Sequence, residues 1–229
     1  MILLAGGSGR RFGTTVPKLL ASVKSKPLIA YPIEIALSLE FVDELVVVCH
    51  PGIRRRTDEI VSDIKRAPAG SVDKVLICDG GDSRAASVEA GLMHASGRCV
   101  MIHDGDRPLA TAGLYRRVLD ALRPGTGVVP AMRPADSVIQ EDQAGPSIGY
   151  LPRHKMLLAQ TPQAFFTEEY RAARKGVQSR GEQHTDDGSV FAANGGSLVT
   201  VPGEQSNVKV TFPVDIRVVE FYLDAMKDE

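Results

Sequence analysis

The sequence has few cysteines, and their spacing does not suit a metal or redox site. The three cysteines, Cys49, Cys78 and Cys99, lie far apart, and none belongs to a CxxC pair. Zinc ribbons and dithiol redox centres need closely spaced pairs, so neither class fits. Cys49 and Cys78 close apolar runs and Cys99 opens one. This pattern predicts buried free thiols at strand ends, in a protein of a reducing compartment.

The sequence also lacks a charge bias and a long apolar run. Its 27 Lys and Arg residues nearly balance 28 Asp and Glu residues, whereas a nucleic-acid-binding protein normally carries a strong basic excess. No apolar run approaches the ~20 residues that cross a bilayer, and Met1 leads straight into an apolar stretch without a signal peptide. We expect no nucleic-acid partner, no membrane association and a cytoplasmic location. A plastid or another organelle is the alternative if a transit peptide was removed, and the abrupt start suggests that a few residues precede Met1.

Short apolar runs alternate with helix-like stretches along the first half of the chain. The predicted strands cover residues 1–5, 45–49, 74–78, 99–103 and 127–130, and the predicted helices cover 28–39, 53–65, 83–95 and 113–122. This alternation predicts an α/β fold with a mostly parallel sheet. A length of 229 residues, of which 43% are hydrophobic, suits a single domain over 1–229.

Residues 131–158 break this alternation. They are polar and rich in turn residues, and the segment is longer than the ~12–15 residues of an ordinary connector. We expect a projecting β-arm used for dimerisation, with a mobile surface loop as the alternative. After Phe165 we expect a helix, two strands at 198–202 and 207–211, and a closing helix over 214–226.

A glycine-rich turn follows the first predicted strand. It reads Gly6-Gly7-Ser8-Gly9 and continues through Arg11 to Pro17-Lys18. Glycines let backbone N–H groups approach a polyphosphate, and cations complete its neutralisation. A Walker A loop is excluded because no Gly-Lys-Ser/Thr occurs, and Phe12 stands where the dinucleotide fingerprint needs its last glycine. The remaining alternative is a plain turn with two surface cations.

Four further polar motifs follow in a fixed order. They are Gly80-Gly81-Asp82-Ser83-Arg84-x-x-Ser87, His103-Asp104-Gly105-Asp106-Arg107-Pro108, Gln160-Thr161-Pro162-Gln163 with Thr185-Asp186-Asp187, and Asn207-Val208-Lys209-Val210-Thr211. Together with the glycine turn they resemble the cytidylyltransferase family that includes 2-C-methyl-D-erythritol 4-phosphate cytidylyltransferase of the non-mevalonate isoprenoid pathway. Close relatives in that family make CDP-ribitol. The resemblance spans essentially all 229 residues.

The resemblance implies a Rossmann-like nucleotidyltransferase sheet of the GT-A type. It also implies a Mg²⁺-dependent homodimer that transfers a cytidylyl group from CTP to a small polyol phosphate and releases pyrophosphate. The implied catalytic residues are Arg11, Lys18, Asp104 and Lys209, with Asp104 as the metal ligand. The implied nucleotide-binding residues are Ala5, Gly6, Gly7, Ser8, Gly9, Gly81, Asp82 and Ser87. The implied acceptor-binding residues are Arg107, Ser137, Thr161, Thr185 and Arg153, the last reaching in from the neighbouring subunit.

The chemistry of the charged residues agrees with these roles but leaves alternatives. Asp104 follows a strand, at the edge where α/β sheets bind ligands, and a carboxylate suits Mg²⁺; alternatively it caps the next turn. Arg107 carries a planar fork that suits a phosphate, or it forms a surface salt bridge. Lys209 alternates with apolar neighbours, so it is also compatible with an exposed edge strand.

The hydroxyl residues are more ambiguous. Small hydroxyls suit a polyol phosphate because each both donates and accepts hydrogen bonds. Taken alone, however, Ser87 is compatible with local packing on a helix. Thr161 is equally compatible with a turn before Pro162, and Thr185 with a helix N-cap.

Three positions depart from the family pattern. The first loop begins Leu4-Ala5-Gly6-Gly7, a form shared with plant-type members and the ribitol-phosphate relatives, and Leu19 replaces a common glutamine. Gly105-Asp106 stands where the family has two small residues, and an added carboxylate there repels the acceptor or demands a cation. A ribitol-5-phosphate cytidylyltransferase and a nucleotide-binding module without turnover therefore stay open as alternatives.

Overall fold

The computed structural model describes residues 1–7, 12–13, 16–66, 74–141 and 148–226. Its strands are β1 (Ile2–Ala5), β2 (Ser22–Val23), β3 (Lys26–Pro27), β4 (Glu44–Cys49), β5 (Lys74–Asp79), β6 (Cys99–Asp104), β7 (Thr126–Met132), β8 (Val138–Glu141), β9 (Ile148–Leu151), β10 (Leu158–Ala159), β11 (Gln163–Phe166) and β12 (Ser197–Pro202). Its helices are α1 (Ala30–Ser38), α2 (Arg54–Arg66), α3 (Arg84–His94), α4 (Ala112–Ala121), α5 (Thr167–Ser179), α6 (Asp187–Ala193) and α7 (Val214–Ala225). None of these helices is long and apolar enough to cross a bilayer.

Eight strands form one mixed sheet, in the order β10-β7-β11-β6-β1-β4-β5, with β12 paired to β7. The pairs β1–β4, β1–β6, β4–β5 and β7–β12 are parallel, and only β10 and β11 run antiparallel to their neighbours. The predicted α/β fold with a mostly parallel sheet is confirmed. From β1 the chain builds β4 and β5 on one side and then crosses to β6 on the other. Such a switch point opens a crevice at the carboxyl ends of the two strands.

Both faces of the sheet are covered, which explains the continuous apolar runs. Side chains alternate along β1: Ile2 and Leu4 pack on the face that carries α3, α5 and α6, while Leu3 and Ala5 pack on the face that carries α1, α2, α4 and α7. Each fully buried leucine or isoleucine contributes about 1.5–3 kcal/mol. The strand that leads into the glycine turn is therefore firmly held.

The strand predicted at 207–211 is wrong. The backbone N–H of Val210 donates to the carbonyl of Asp106 at 2.8 Å, and the carbonyl of Val210 accepts from Lys18 Nζ at 2.9 Å. The segment thus crosses the carboxyl edge of the sheet and bonds to a loop and a side chain instead of another strand.

The sequence did not predict the hairpin β2–β3 or the strand β11. The hairpin turns at Lys24 and Ser25, which adopt positive φ angles of 46° and 67°. Strand β11 inserts antiparallel between β6 and β7. It begins two residues after Thr161, so it draws the third predicted motif toward the end of β6.

The segment predicted as a β-arm does form one. Within the described ranges, strands β8 and β9 pair with each other and with no further strand, in the register Val138 with Leu151. Ile139 and Tyr150 on this hairpin are 53% and 75% exposed. The predicted bounds were too wide, because Ala131 belongs to β7 and Leu158 to β10. Its use in dimerisation stays a prediction.

The cysteines are free, as predicted, and two of the three are fully buried. Cys49 and Cys78 end or nearly end β4 and β5, and Cys99 at the start of β6 is half-buried. Burial raises the pKa of the Cys49 thiol to about 11, so it stays protonated and unreactive.

Candidate active site

The glycine turn and the start of α3 meet at the edge of the sheet. A Cβ on Gly6 would lie 2.7 Å from Ser87 Oγ, and one on Gly80 would lie 2.8 Å from the same atom. Both distances are shorter than real Cβ contacts, so glycine is required for this approach. The structure therefore brings Gly6 and Ser87, which come from different motifs, into one place. Ser8, Gly9 and Arg11 lie outside the described residues, so their roles stay predictions.

The turn before α3 presents the remaining residues predicted to read the base. Ser83 caps α3 by accepting from the backbone N–H of Ala86 at 3.0 Å. Ser87 is 3% exposed, and its hydroxyl donates to the carbonyl of Ser83 at 3.0 Å. Gly81 and Asp82 are exposed beside them. Ser87 does pack locally on the helix, as the alternative interpretation expected, because its hydroxyl bonds within the first turn of α3. The exposed Gly81 and Asp82 beside it form an open edge.

Asp104 is the last residue of β6, and three cations surround its carboxylate. Lys209 Nζ lies 2.7 Å from Oδ2, Arg84 donates to Oδ1 from two nitrogens at 3.3 Å, and Arg107 Nε lies 3.8 Å from Oδ2. Burial alone would raise the pKa of Asp104, but Lys209 and Arg84 hold that pKa well below its ordinary value. Among the described residues its carboxylate accepts no backbone N–H bond, so the turn-cap alternative is wrong.

A second ion pair lies next to the first. Lys18 Nζ is 2.5 Å from Asp106 Oδ2, and both side chains are 14% exposed. The other Asp106 oxygen, Oδ1, is 3.9 Å from Lys209 Nζ. We call the six residues Lys18, Arg84, Asp104, Asp106, Arg107 and Lys209 the ionic cluster.

Arg107 is a nearly buried cation with unused bonding capacity. Its Nη1 donates to the carbonyl of Asn207 at 2.8 Å, and its side chain is 12% exposed. Its Nε is buried without a hydrogen-bond acceptor among the described residues. A buried donor without a partner is costly, so an anion here would be stabilised. The surface salt-bridge alternative does not fit this burial.

Arg84 is a site residue that the sequence prediction left out. Its Nη2 donates to the buried Asp187 at 2.6 Å, and Asp187 in turn accepts from the hydroxyl of Tyr170 at 2.5 Å. Burial alone would lower the pKa of Arg84, but Asp187 and Asp104 raise it above its ordinary value. Arg84 thus links the carboxylate of Asp104 to the protein core. The only signal in the sequence was its place inside the motif before α3.

His103 connects three parts of the site through a neutral ring. Its Nε2 lies 3.0 Å from the carbonyl of Arg107, so Nε2 carries the proton and Nδ1 accepts from the hydroxyl of Thr161, also at 3.0 Å. Thr161 accepts in turn from the backbone N–H of Asp104. Burial lowers the pKa of His103 to about 4, which keeps the ring neutral. Thr161 is therefore 4% exposed and held tightly, and its contact with an acceptor stays a prediction.

Three predicted acceptor residues lie apart from the ionic cluster. Ser137, Arg153 and Thr185 are exposed, and within the described part of the chain no hydrogen bond or ion pair joins them to it. Arg153 Nη1 instead donates to the carbonyl of Ala135 at the base of the arm. The N-cap alternative for Thr185 is wrong, because Asp186 caps α6 in a capping box with Ser189.

The donor set of the site fits a magnesium ion held chiefly by a nucleotide. Both oxygens of Asp104 already contact Lys209 or Arg84. The described ranges contain no group of three or more His, Cys, Asp or Glu residues arranged to hold a metal. Mg²⁺ in nucleotide sites usually takes one or two carboxylates, with phosphates and water as its other ligands. Asp104 can supply one such carboxylate, but the protein alone does not build a cage.

A cavity of about 890 Å³ lies elsewhere, between α1, α2, α7 and residues 108–112. Its lining is mostly apolar, and it contains no member of the ionic cluster. It does not suit a triphosphate.

Known proteins resemble the whole chain. It is 30% identical over 222 residues to a 2-C-methyl-D-erythritol 4-phosphate cytidylyltransferase of Prochlorococcus marinus, covering 96% of both chains. It is 35% identical over 224 residues to a bifunctional IspD/IspF enzyme of Clavibacter michiganensis, of which it spans 53%. The crystal structure of 4-diphosphocytidyl-2C-methyl-D-erythritol synthase from Anaerococcus prevotii matches with a TM-score of 0.82 at 26% identity, covering 97% of this chain and 96% of that one.

A second solved structure, the 2-C-methyl-D-erythritol 4-phosphate cytidylyltransferase of Thermus thermophilus, matches with a TM-score of 0.75 at 27% identity. It covers 97% of this chain, and this chain covers 98% of it. The family model named IspD, 2-C-methyl-D-erythritol 4-phosphate cytidylyltransferase, matches residues 1–225. The chain belongs to the 2-C-methyl-D-erythritol 4-phosphate cytidylyltransferase family.

Proposed function

We propose that this protein transfers the cytidylyl group of CTP to 2-C-methyl-D-erythritol 4-phosphate and releases pyrophosphate, a step of isoprenoid precursor synthesis by the non-mevalonate pathway. The observation that carries the proposal is the ionic cluster. It places the ammonium groups of Lys18 and Lys209 at the carboxyl ends of β1 and β6, beside the glycine turn. A switch-point crevice with fixed cations is a site for a polyphosphate.

The reaction we propose is an in-line attack of an acceptor phosphate oxygen on the α-phosphorus of CTP. The new bond joins that oxygen to phosphorus, and the bond to the bridging oxygen of pyrophosphate breaks. Both reactants are anions, so the protein needs to align them and cancel their repulsion; it needs no side-chain nucleophile. Lys18 and Lys209 are assigned to the triphosphate, together with Arg11 of the glycine turn.

The acceptor phosphate is assigned to Arg107. The buried Nε of Arg107 has no acceptor among the described residues, so a phosphate oxygen satisfies it. Thr161 sits between His103 and the backbone of Asp104, where it fixes the position of the loop that carries Arg107. Ser137 and Thr185 are assigned to acceptor hydroxyls when the arm and the start of α6 approach the bound acceptor.

The cytosine ring of CTP is assigned to the edge formed by Gly6, Gly81, Asp82 and Ser87. The convergence of Gly6 and Gly80 on the hydroxyl of Ser87 supports this assignment, because two glycine backbones approach each other there beside a polar side chain. When bound, Mg²⁺ would neutralise charge on the triphosphate, with Asp104 as its protein ligand.

We propose a homodimer in which the arm carries Arg153 to the acceptor site of the partner. Two features support this arrangement: in the described part of the chain no hydrogen bond or ion pair joins Arg153 to the cluster, and the hairpin exposes Ile139 and Tyr150. The balanced charge agrees with a cytoplasmic enzyme that binds neither nucleic acid nor membranes. A single domain over 1–229 completes the proposal.

Ribitol 5-phosphate is the second acceptor to test, since the first loop has the form shared with relatives that use it. The assay measures pyrophosphate release from CTP and Mg²⁺ with each polyol phosphate separately. We expect release with methylerythritol phosphate, and a Lys209→Ala variant as the inactive control. Release with ribitol 5-phosphate alone would move the assignment to that acceptor. No release with either would mean a nucleotide-binding module without turnover.

A further inference from the structure

The carboxylate of Asp106 lies between the two lysines assigned to the triphosphate. Oδ2 is 2.5 Å from Lys18 Nζ, and Oδ1 is 3.9 Å from Lys209 Nζ. Oδ1 is buried and accepts no hydrogen bond among the described residues. An anionic group bridging two ammonium groups occupies the kind of position that a phosphate of the nucleotide takes.

The backbone fixes this carboxylate in place. The N–H of Gly105 donates to the carbonyl of Leu4 at 2.8 Å, and the carbonyl of Asp106 accepts from Val210 at 2.8 Å. A Cβ on Gly105 would lie 2.8 Å from the carbonyl oxygen of Leu4, so a larger residue does not fit at 105. Gly105 is therefore required by the loop, and Asp106, which departs from the family pattern, is a largely buried member of an ion pair rather than a surface residue.

Asp106 also changes the charge of the site. The four cations of the ionic cluster face three carboxylates, namely Asp104, Asp106 and the adjoining Asp187, which leaves one net positive charge. Without Asp106 the net charge would be twice as large. Lys18 already donates to Asp106 and to the carbonyl of Val210, so one N–H of its ammonium group is left for a triphosphate or pyrophosphate, and the adjacent carboxylate repels that anion.

We propose that the carboxylate of Asp106 competes with the phosphate groups of the ligand for Lys18. This competition weakens the binding of CTP and of the pyrophosphate product. Asp106 acts through Lys18, so it is a positioning residue and not a catalytic one. The inference rests on the proposed function for the identity of the ligands. Weaker retention of pyrophosphate favours product release, a step that limits the turnover of many enzymes.

The test measures dissociation constants by titration calorimetry for CTP and pyrophosphate, each with and without Mg²⁺, and for CMP. The variants are Asp106→Asn, which keeps the shape and removes the charge, and Asp106→Ala. The matched control is Asp224→Asn, which removes a carboxylate from an exposed pair with Lys24. We expect both Asp106 variants to bind CTP and pyrophosphate about tenfold more tightly than the unaltered chain, within the usual range of coupling between two binding events. We expect a smaller gain for CMP, which lacks the outer phosphates, and none in the control.

Two results would overturn the inference. Unchanged or weaker pyrophosphate binding in both folded variants would show that Asp106 does not compete with phosphates. CTP binding that weakens only when Mg²⁺ is present would make Asp106 a metal ligand instead. Circular dichroism establishes that each variant is folded. Because the readout is binding, the inference can fail while the unaltered chain still releases pyrophosphate, and the proposed function can fail while the binding difference persists.

Discussion

The ionic cluster and the β-arm differ in how completely one chain builds them. Every charged group of the cluster contacts another group from a distant part of the sequence, and most are nearly buried. The arm is a two-stranded hairpin with exposed apolar residues, and among the described residues its Arg153 bonds to the nearby carbonyl of Ala135. The half of the site that we assign to the nucleotide is thus preorganised within one chain. Arg107, which we assign to the acceptor phosphate, is also held in place, whereas the arm residues that we assign to the acceptor lie apart from it.

The largest effect should come from removing either lysine of the preorganised half. We expect Lys18→Ala and Lys209→Ala each to lower kcat/KM by ~10²–10³, as when one fixed electrostatic contact to a transition state is lost. Steady-state pyrophosphate release measures the change. Lys24→Ala, which removes an exposed lysine paired with Asp224, is the control and should leave kcat/KM unchanged. Near-normal activity of a cluster variant would remove that lysine from the mechanism.

The next effect is on stability and concerns Asp187, the buried residue that pairs with Arg84 of the ionic cluster. Asp187→Asn leaves Arg84 without its shortest ion pair, and breaking a buried pair costs about 3 kcal/mol. Urea unfolding measures this cost. Tyr170→Phe, which removes one hydrogen bond to the same carboxylate, should cost less, about 1.5 kcal/mol. Equal costs for the two variants would contradict the ion-pair account.

The neutral ring of His103 should produce a smaller, pH-dependent effect. Its pKa is about 4 in the folded protein against 6.5 in an unfolded chain, so between these values the unfolded state binds more protons. Stability therefore falls as the pH drops below 6.5, by about 2 kcal/mol at pH 5. Asp104, whose folded pKa is also lowered, loses its contribution only below about pH 4.

The measurement compares the free energy of unfolding at pH 7 and pH 5 in the unaltered chain and in His103→Gln. For each protein, only the change in the free energy of unfolding between pH 7 and pH 5 is compared, because the substitution itself destabilises the core at both pH values. The variant should lose about 2 kcal/mol less than the unaltered chain over this interval. An identical pH dependence in both proteins would show that His103 is not held neutral.

Features that depend on local sequence could be predicted, whereas features that depend on contacts between distant residues could not. Apolar runs buried on both sheet faces revealed β1, β4, β5, β6 and β7, because local composition decides such strands. The run at 207–211 was misread because Val208 and Val210 pack beside the site without pairing to a strand. Arg84 was missed because its partner Asp187 lies 103 positions away, and a single motif cannot show such a contact.

The arm shows a further limit. Its hairpin was predictable from length and turn residues, but in the proposed dimer the place that Arg153 reaches would depend on contacts between two chains. No local pattern carries that information, whereas the positions of Asp104 and Gly6 follow directly from the strands they end.

Complementation between two weakened variants tests most directly whether one chain completes the site of another. Arg153→Ala alone should lower kcat/KM about tenfold, as for one charged contact to the acceptor. A Lys209→Ala chain supplies an intact Arg153, and an Arg153→Ala chain supplies an intact Lys209. Random pairing of the two variants makes half of the dimers mixed. One of the two sites in each mixed dimer is complete, so about one quarter of all sites are complete. We predict that an equal mixture, dissociated and reassociated, recovers about a quarter of the original activity; an activity equal to the average of the separate variants would contradict the account.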